Sequence, residues 1–258
     1  MKLLFIGDVV GGPGRRGLAA VMPSLRERHA PDMVVVNGEN SAGGMGITEK
    51  TAKAIFDAGA SVITTGNHVY RHREAYNFLN RTDRVVRPAN YPYANPGRGY
   101  TVVGVGDARV GVINLSGAVG LQVARSPFLE VDSILEKIDC DFALVDFHAE
   151  VTSEKVAMGW HLDGRVAAVL GTHTHVPTAD ARVLPHGTAF ISDVGMTGSR
   201  TSVLGVKPEL VLEAFITQMP VKFETAEEDV WVMGAAVEVN DKGLADSIEQ
   251  VMVPALLE

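Results

Sequence analysis

The chain contains one cysteine, Cys140, among 258 residues. A lone thiol cannot close an internal disulfide, which excludes a secreted scaffold held by staples. Basic clusters are equally scarce. Beyond short pairs such as Arg15 and Arg16, the 23 Lys and Arg are dispersed and outnumbered by 31 Asp and Glu, leaving a formal net charge of −8. Binding along a nucleic-acid backbone needs an extended cationic face, so a long nucleic acid is not an expected partner. A small anionic substrate stays open, because metal ions can bring positive charge into a site. Long apolar runs are missing too. Only the five residues from Leu3 to Gly7 separate Lys2 from Asp8, too few for the core of a signal peptide. The longest uncharged stretch, between Arg109 and Arg125, carries Asn, Ser, Gln and several Gly, which suits no membrane span. The expectation is a cytoplasmic protein without membrane contact. No repeat of solenoid period and no low-complexity tract appears, so residues 1–258 are expected to form a single domain.

What is present is the composition of a protein that folds on a sizeable core: 46% hydrophobic and 21% charged residues. Strand-length runs rich in Val and Ile lie at Leu3–Ile6, Met33–Val36, Val62–Thr65, Val110–Leu115, Phe142–Phe147 and Val166–Leu170. Helical patterns occupy Gly17–Arg28, Thr48–Ala58 with Thr48 as N-cap, and Arg71–Leu79. That alternation predicts an α/β fold. Tyr100–Val105, Ala189–Ser192 and Trp231–Val239 are further strand candidates, the last alternating enough for an antiparallel or edge position. Pro88–Arg98 reads as a loop.

Chemistry gathers just after the strands. Asp8 follows the first, Glu39 and Asn40 the second, Asn67 and His68 the third, His148 the Phe142 strand, and His173 and His175 the Val166 strand. Ligands of open α/β sheets bind beyond the carboxyl ends of strands, where such side chains converge. Taken singly, Asp8 could be a helix cap, Glu39 and Asn40 a solvated loop, Asn67 a turn former and His148 a satisfied half-buried histidine. Taken together, those bland readings demand five coincidences at equivalent positions. Asp8, Glu39, Asn40, Asn67, His148, His173 and His175 make seven donors, more than one catalytic ion would take while keeping an open position. Two ions fit. The mixed nitrogen and oxygen set suits iron, manganese, zinc or cobalt better than calcium or magnesium. A competing pattern, Gly12-Pro13-Gly14-Arg15-Arg16-Gly17, has the spacing of a dinucleotide fingerprint. The five residues after Ile6 and the stiff Pro13 argue instead for a glycine-rich turn that lets a helix start beside Asp8. Ala42–Gly46 reads as a loop near the site. No protein nucleophile suggests itself, since Cys140 sits between Asp139 and Asp141, which raise its pKa.

The series Gly7-Asp8-Val9-Val10-Gly11, Asn37-Gly38-Glu39-Asn40, Thr65-Gly66-Asn67-His68, His148, Gly171-Thr172-His173-Thr174-His175 and Ser192-Asp193-Val194-Gly195-Met196-Thr197-Gly198 resembles the YmdB-like branch of the calcineurin-like metallophosphoesterases. The resemblance implies a four-layer α/β/β/α metallophosphoesterase sandwich, often oligomeric, acting as a phosphodiesterase on 2′,3′-cyclic nucleotides through a hydroxide bridging two ions. It implies Asp8, Glu39, Asn40 and His175 on one ion and Glu39, Asn67, His148 and His173 on the other, with iron or manganese expected and His68 as general acid. Two departures from the wider superfamily stand out. Val9 and Val10 follow Asp8 where Asp-x-His is common, and Glu39 stands where the bridge is commonly Asp. Asn40 fills the gap left by the missing imidazole. Two other readings stay open: a broad-specificity phosphomonoesterase on the same ions, and a cyclic-nucleotide-responsive regulatory protein with slow turnover.

Overall fold

Successive side chains of a strand point to opposite faces, so a strand buried on both sides feeds two cores at once. The computed structural model, which describes residues 1–256, shows this in its first strand: Leu4 and Ile6 enter one apolar cluster, Leu3 and Phe5 another. In chain order the elements are β1 (Lys2–Ile6), β2 (Asp8–Val9), α1 (Gly11–His29), β3 (Met33–Asn37), α2 (Glu49–Asp57), β4 (Val62–Thr64), α3 (Ala75–Arg81) and β5 (Val85–Val86). They continue with β6 (Tyr100–Val105), β7 (Ala108–Ser116), α4 (Pro127–Leu135), β8 (Phe142–His148), α5 (Thr152–Leu162), β9 (Ala168–Thr172), β10 (Arg182–Val183) and β11 (Ala189–Ile191). The last are β12 (Met196–Ser199), α6 (Pro208–Thr217), β13 (Val230–Val239) and β14 (Ala245–Pro254).

One sheet runs β2-β12-β13-β1-β3-β4-β5, with β14 also on β13; the other runs β10-β11-β9-β8-β7-β6. Leu18, Val21, Ala52, Ile55 and Leu79 of α1 to α3 pack on the outer face of the first sheet with Leu4, Val34 and Ile63. Leu3, Phe5 and Val35 meet Val110, Val112, Leu144 and Leu170 between the sheets. Val131, Ile134, Met158 and Leu162 of α4 and α5 cover the outer face of the second sheet over Val145, Phe147 and Val169. The result is the expected four-layer α/β/β/α sandwich. Its functional consequence lies in direction. β1, β3 and β4 are parallel, and so are β7, β8 and β9, so the carboxyl ends of both sheets supply the residues described next.

Thr48 caps α2 as expected, its hydroxyl accepting from the Thr51 N–H at 3.2 Å. The strand expected at Val166–Leu170 is shifted to Ala168–Thr172, because Val166 and Ala167 still belong to the turn closing α5. The expected helix at Arg71–Leu79 forms as Ala75–Arg81, after a series of turns. The expected turn before a helix at Gly17 is corrected: α1 already starts at Gly11, so these glycines are helical. A β-carbon on Gly14 would strike the Thr197 carbonyl, and one on Gly17 would press on Val230 Cγ1 at 2.6 Å. They let α1 lie close against β12 and β13. No helix among the described residues is long and apolar enough to cross a membrane.

Candidate metal centre

All seven expected donors, together with His68, fall into one contiguous network. Glu39 Oε1 lies 3.1 Å from His148 Nε2 and 3.1 Å from Asn40 Nδ2. On one side of Glu39, His148 Nε2 is 2.9 Å from Asn67 Oδ1 and 3.0 Å from His173 Nδ1. On the other side, Asn40 Nδ2 is 3.1 Å from His175 Nε2, which in turn is 3.8 Å from Asp8 Oδ1. The first sheet contributes Asp8, Glu39, Asn40, Asn67 and His68; the second contributes His148, His173 and His175. Asp8, Glu39 and His148 are fully buried.

The imidazoles of His148, His173 and His175 are each anchored through one ring nitrogen. Thr172 Oγ1 donates to Asp146 Oδ1 at 2.7 Å, so it accepts from His148 Nδ1–H at 2.9 Å and leaves the Nε2 lone pair facing Glu39. His173 Nε2–H donates to Glu150 at 2.9 Å, and His175 Nδ1–H to the Leu204 carbonyl at 3.0 Å. Fixing one ring nitrogen in this way orients the other as a ligand, the usual support of a metal-binding histidine.

The residues fit a cation on independent grounds. Asp8 Oδ1 is buried with no hydrogen-bond partner among the described residues, and such an orphaned carboxylate oxygen is costly unless something positive meets it. Glu39, His148 and His173 each offer a ligand atom within 4.8 Å of the others. At Gly66 a β-carbon would overlap Glu39 Oε2 and His148 Nε2, so this position admits no side chain. The titration of the cluster follows from the same crowding. Burial raises Asp8 against the pull of His175 and His148. Burial also opposes the charge on Glu39, but His148 and His68 hold it well below the carboxylate range. His148, likewise opposed by burial, is raised to about 9 by Glu39 and Asp8, while burial and the neighbouring His148 push His173 down to about 3. An ion and a proton compete for the same His148 lone pair.

His173 and His175 adopt φ of 98° and 65°, a region that non-glycine residues enter at a cost. The loop is held there by Asp8 and by two residues that the sequence left without a role, Asp193 and Lys155. Asp193 Oδ2 accepts from the Thr174 N–H at 3.0 Å and its hydroxyl at 2.8 Å, and pairs with the buried Lys155 Nζ at 2.7 Å. Asp8 Oδ2 accepts the His173 N–H at 3.1 Å. Asp146, raised to about 7 by burial, and Asn37, whose amide donates to it at 2.9 Å, complete the support below His148. Only the strand-end position of Asn37 hinted at this. Cys140 is raised by burial first and by Asp141 and Asp139 second, as expected of an unreactive thiol.

The chain matches known proteins along nearly its whole length. The family model described as YmdB-like protein matches residues 4–251. A 2′,3′-cyclic-nucleotide 2′-phosphodiesterase from Bacillus subtilis is 43% identical over 256 residues, covering 98% of this chain and 97% of the relative. The crystal structure of a hypothetical protein from Thermus thermophilus superposes with a TM-score of 0.94 at 39% identity, covering 99% of this chain and all of that one. That of a novel phosphatase from Mycoplasma pneumoniae superposes at 0.93 and 33% identity, covering 98% and 93%. Matched in family model, in sequence and in the four-layer metallophosphoesterase architecture along nearly its whole length, this chain belongs to the YmdB-like protein family.

Proposed function

We propose that the chain is a metal-dependent phosphoric diester hydrolase that opens 2′,3′-cyclic nucleotides. The observation that carries the reading is the set of three imidazoles, each anchored at one nitrogen and aimed with the other at the buried carboxylates of Glu39 and Asp8. The Bacillus subtilis relative supports the substrate class and the 2′ ester as the bond that breaks. Two ions, iron or manganese, would be held by Asp8, Glu39, Asn40 and His175 and by Glu39, Asn67, His148 and His173, with Glu39 shared. When bound, they supply Lewis-acid polarisation of the phosphoryl oxygens and activation of water at neutral pH.

The chain's own residues supply position and a proton. Glu39 Oε2 accepts the His68 N–H at 3.1 Å, which seats His68 beside the ligands without using its ring as one. The His68 Nδ1–H donates to Asn40 Oδ1 at 2.8 Å, leaving Nε2 to carry the proton that the departing ribose oxygen needs. His68 is partly exposed, as an acid that meets substrate must be. No protein nucleophile is required, because phosphoryl transfer depends mainly on positioning and electrostatics.

Hydrolysis of adenosine 2′,3′-cyclic phosphate beside adenosine 3′-monophosphate tests the reading. Ion-dependent turnover of the cyclic diester, with the monoester spared, is expected. Turnover of the monoester alone would favour the phosphatase reading, for which the Mycoplasma pneumoniae relative's description speaks. Binding without meaningful turnover would favour the regulatory one. The proposal places the enzyme in the cytoplasm as a homo-oligomer of one folded domain. Self-association is supported by α6, which leaves Phe215 and Ile216 75% and 79% exposed beside Leu212 and Met219. Sedimentation should show more than one chain per particle, and a monomer would remove that part.

A further inference from the structure

A cleft of about 640 Å³ opens beside Asn67, the candidate ligand that lies against His148. Its walls come from three places: the turn after β4, the loop after β5, and the loop between β7 and α4. The size lies within the range of sites for small ligands. Its chemistry is selective. Among the described residues no charged side chain lines it; tyrosine rings, amides and small apolar groups do. A second phosphate or a polynucleotide backbone would find no cation there, whereas a flat neutral heterocycle would find aromatic faces and hydrogen-bonding edges.

The aromatic wall is set in advance. Tyr70 and Tyr91 lie with ring centroids 6.2 Å apart and planes inclined by 35°. Tyr76 meets Tyr70 edge-on at 5.7 Å, and the Tyr70 hydroxyl donates to the Pro96 carbonyl at 2.7 Å. The opposite rim is clamped at both ends. The Ala118 and Val119 N–H groups donate to the buried Glu154 carboxylate at 2.8 and 3.2 Å, and those of Ala124 and Arg125 to the Asn90 carbonyl at 3.1 and 3.2 Å. Between the clamps sits Gln122, exposed and with no side-chain hydrogen bond among the described residues. Its amide offers a donor and an acceptor to whatever enters. A rim and a wall ordered before binding lose little entropy on closing around a ligand.

We propose that this cleft is the nucleobase subsite of the enzyme, the base lying against the Tyr70 and Tyr91 wall with Gln122 reading its polar edge. The inference rests on the cyclic-nucleotide reading above and adds to it the place and the chemistry by which the substrate's base is recognised. Its boundary with that reading is experimental. The values of kcat/KM for adenosine 2′,3′-cyclic phosphate and for ribose 2′,3′-cyclic phosphate, which lacks the base, are compared in the wild type, in Ala124→Trp and in Gln122→Ala. Ala124 is exposed on the rim, so a tryptophan there fills the cleft without entering the core.

The wild type should prefer the base-bearing substrate by about tenfold or more, the scale of one stacked base. Ala124→Trp should bring that ratio close to one, and Gln122→Ala should change the ranking of the four bases. A wild-type ratio near one, or a ratio untouched by Ala124→Trp, overturns the subsite; an unchanged ranking overturns the role of Gln122. Silence on both substrates would instead defeat the hydrolytic reading. The subsite is then decided by calorimetric binding of adenosine 3′-monophosphate: weakening of about tenfold in Ala124→Trp supports it, and equal binding overturns it.

Discussion

His68 is the residue whose role differs most from that of its neighbours. It shares Asn40 and Glu39 with the ligand cluster, yet its ring faces none of the other imidazoles. His68→Ala should therefore keep its ions while turnover of a cyclic nucleotide falls by about 10² to 10⁴. A ribose alkoxide needs that proton and a nitrophenolate does not, so bis-nitrophenyl phosphate should lose far less. Equal losses on both substrates would reduce His68 to a residue that orients Asn40 and Glu39. At this scale the sequence was informative where residue type announces chemistry: the carboxylates, amides and histidines after five strands all reached the cluster. It was silent on Asp146, Lys155 and Glu150, whose roles arise only from contacts. Lys155 meets Asp193 across 38 positions of chain, and no spacing rule joins them.

Among the elements, the loop from His173 to His175 shows how the fold sustains an unfavourable backbone. Thr174 is tied to Asp193, and Asp193 is tied to Lys155 of α5, so a helix on the outer face of the second sheet holds two candidate ligands on the edge. Asp193→Asn should weaken ion affinity by about 10- to 100-fold, as losses of such supports do, in a competition with a chelator of known affinity. Unchanged affinity would mean that the positive φ values are maintained without it. Lys155 also explains why α5 was not legible in the sequence. With Glu154 and Lys155 both buried, the helix breaks the apolar stripe that periodicity relies on. α6 fails the same test for the opposite reason, since its large apolar residues are exposed rather than gathered on a core face. β14 is polar enough to read as a loop and is a strand through its ladder with β13, which leaves β13 antiparallel but interior. Strands β1, β3, β4, β7 and β8, by contrast, were legible because burial on both faces demands continuous apolar runs.

For the whole molecule, burying the Asp8 and Glu39 carboxylates and the His148 imidazole makes stability depend on what neutralises them. In chelator-treated protein, His148 raised from its ordinary 6.5 to about 9 retains a proton that the unfolded chain releases earlier. Its stabilisation is complete below pH 6.5 and is lost as pH rises through 9, on the order of 3 kcal/mol in all. Asp146, raised to about 7, is half titrated there and largely deprotonated by about pH 8, so the interval from about pH 8 to 9 weights His148. Denaturant midpoints should fall across that interval without ions and hold steady under saturating manganese, where the ion replaces the proton. Parallel curves would separate His148 from ion binding. The most direct test of the two-ion centre is the metal content of protein purified without added metal and then titrated with manganese, in the wild type, Asp8→Ala and Glu39→Ala. Two ions per chain in the wild type, one strong site left in Asp8→Ala and loss of both in Glu39→Ala are expected. A well-folded wild type that stays free of metal and still opens cyclic nucleotides, or equal stoichiometry and affinity in the two variants, would contradict a centre bridged by Glu39.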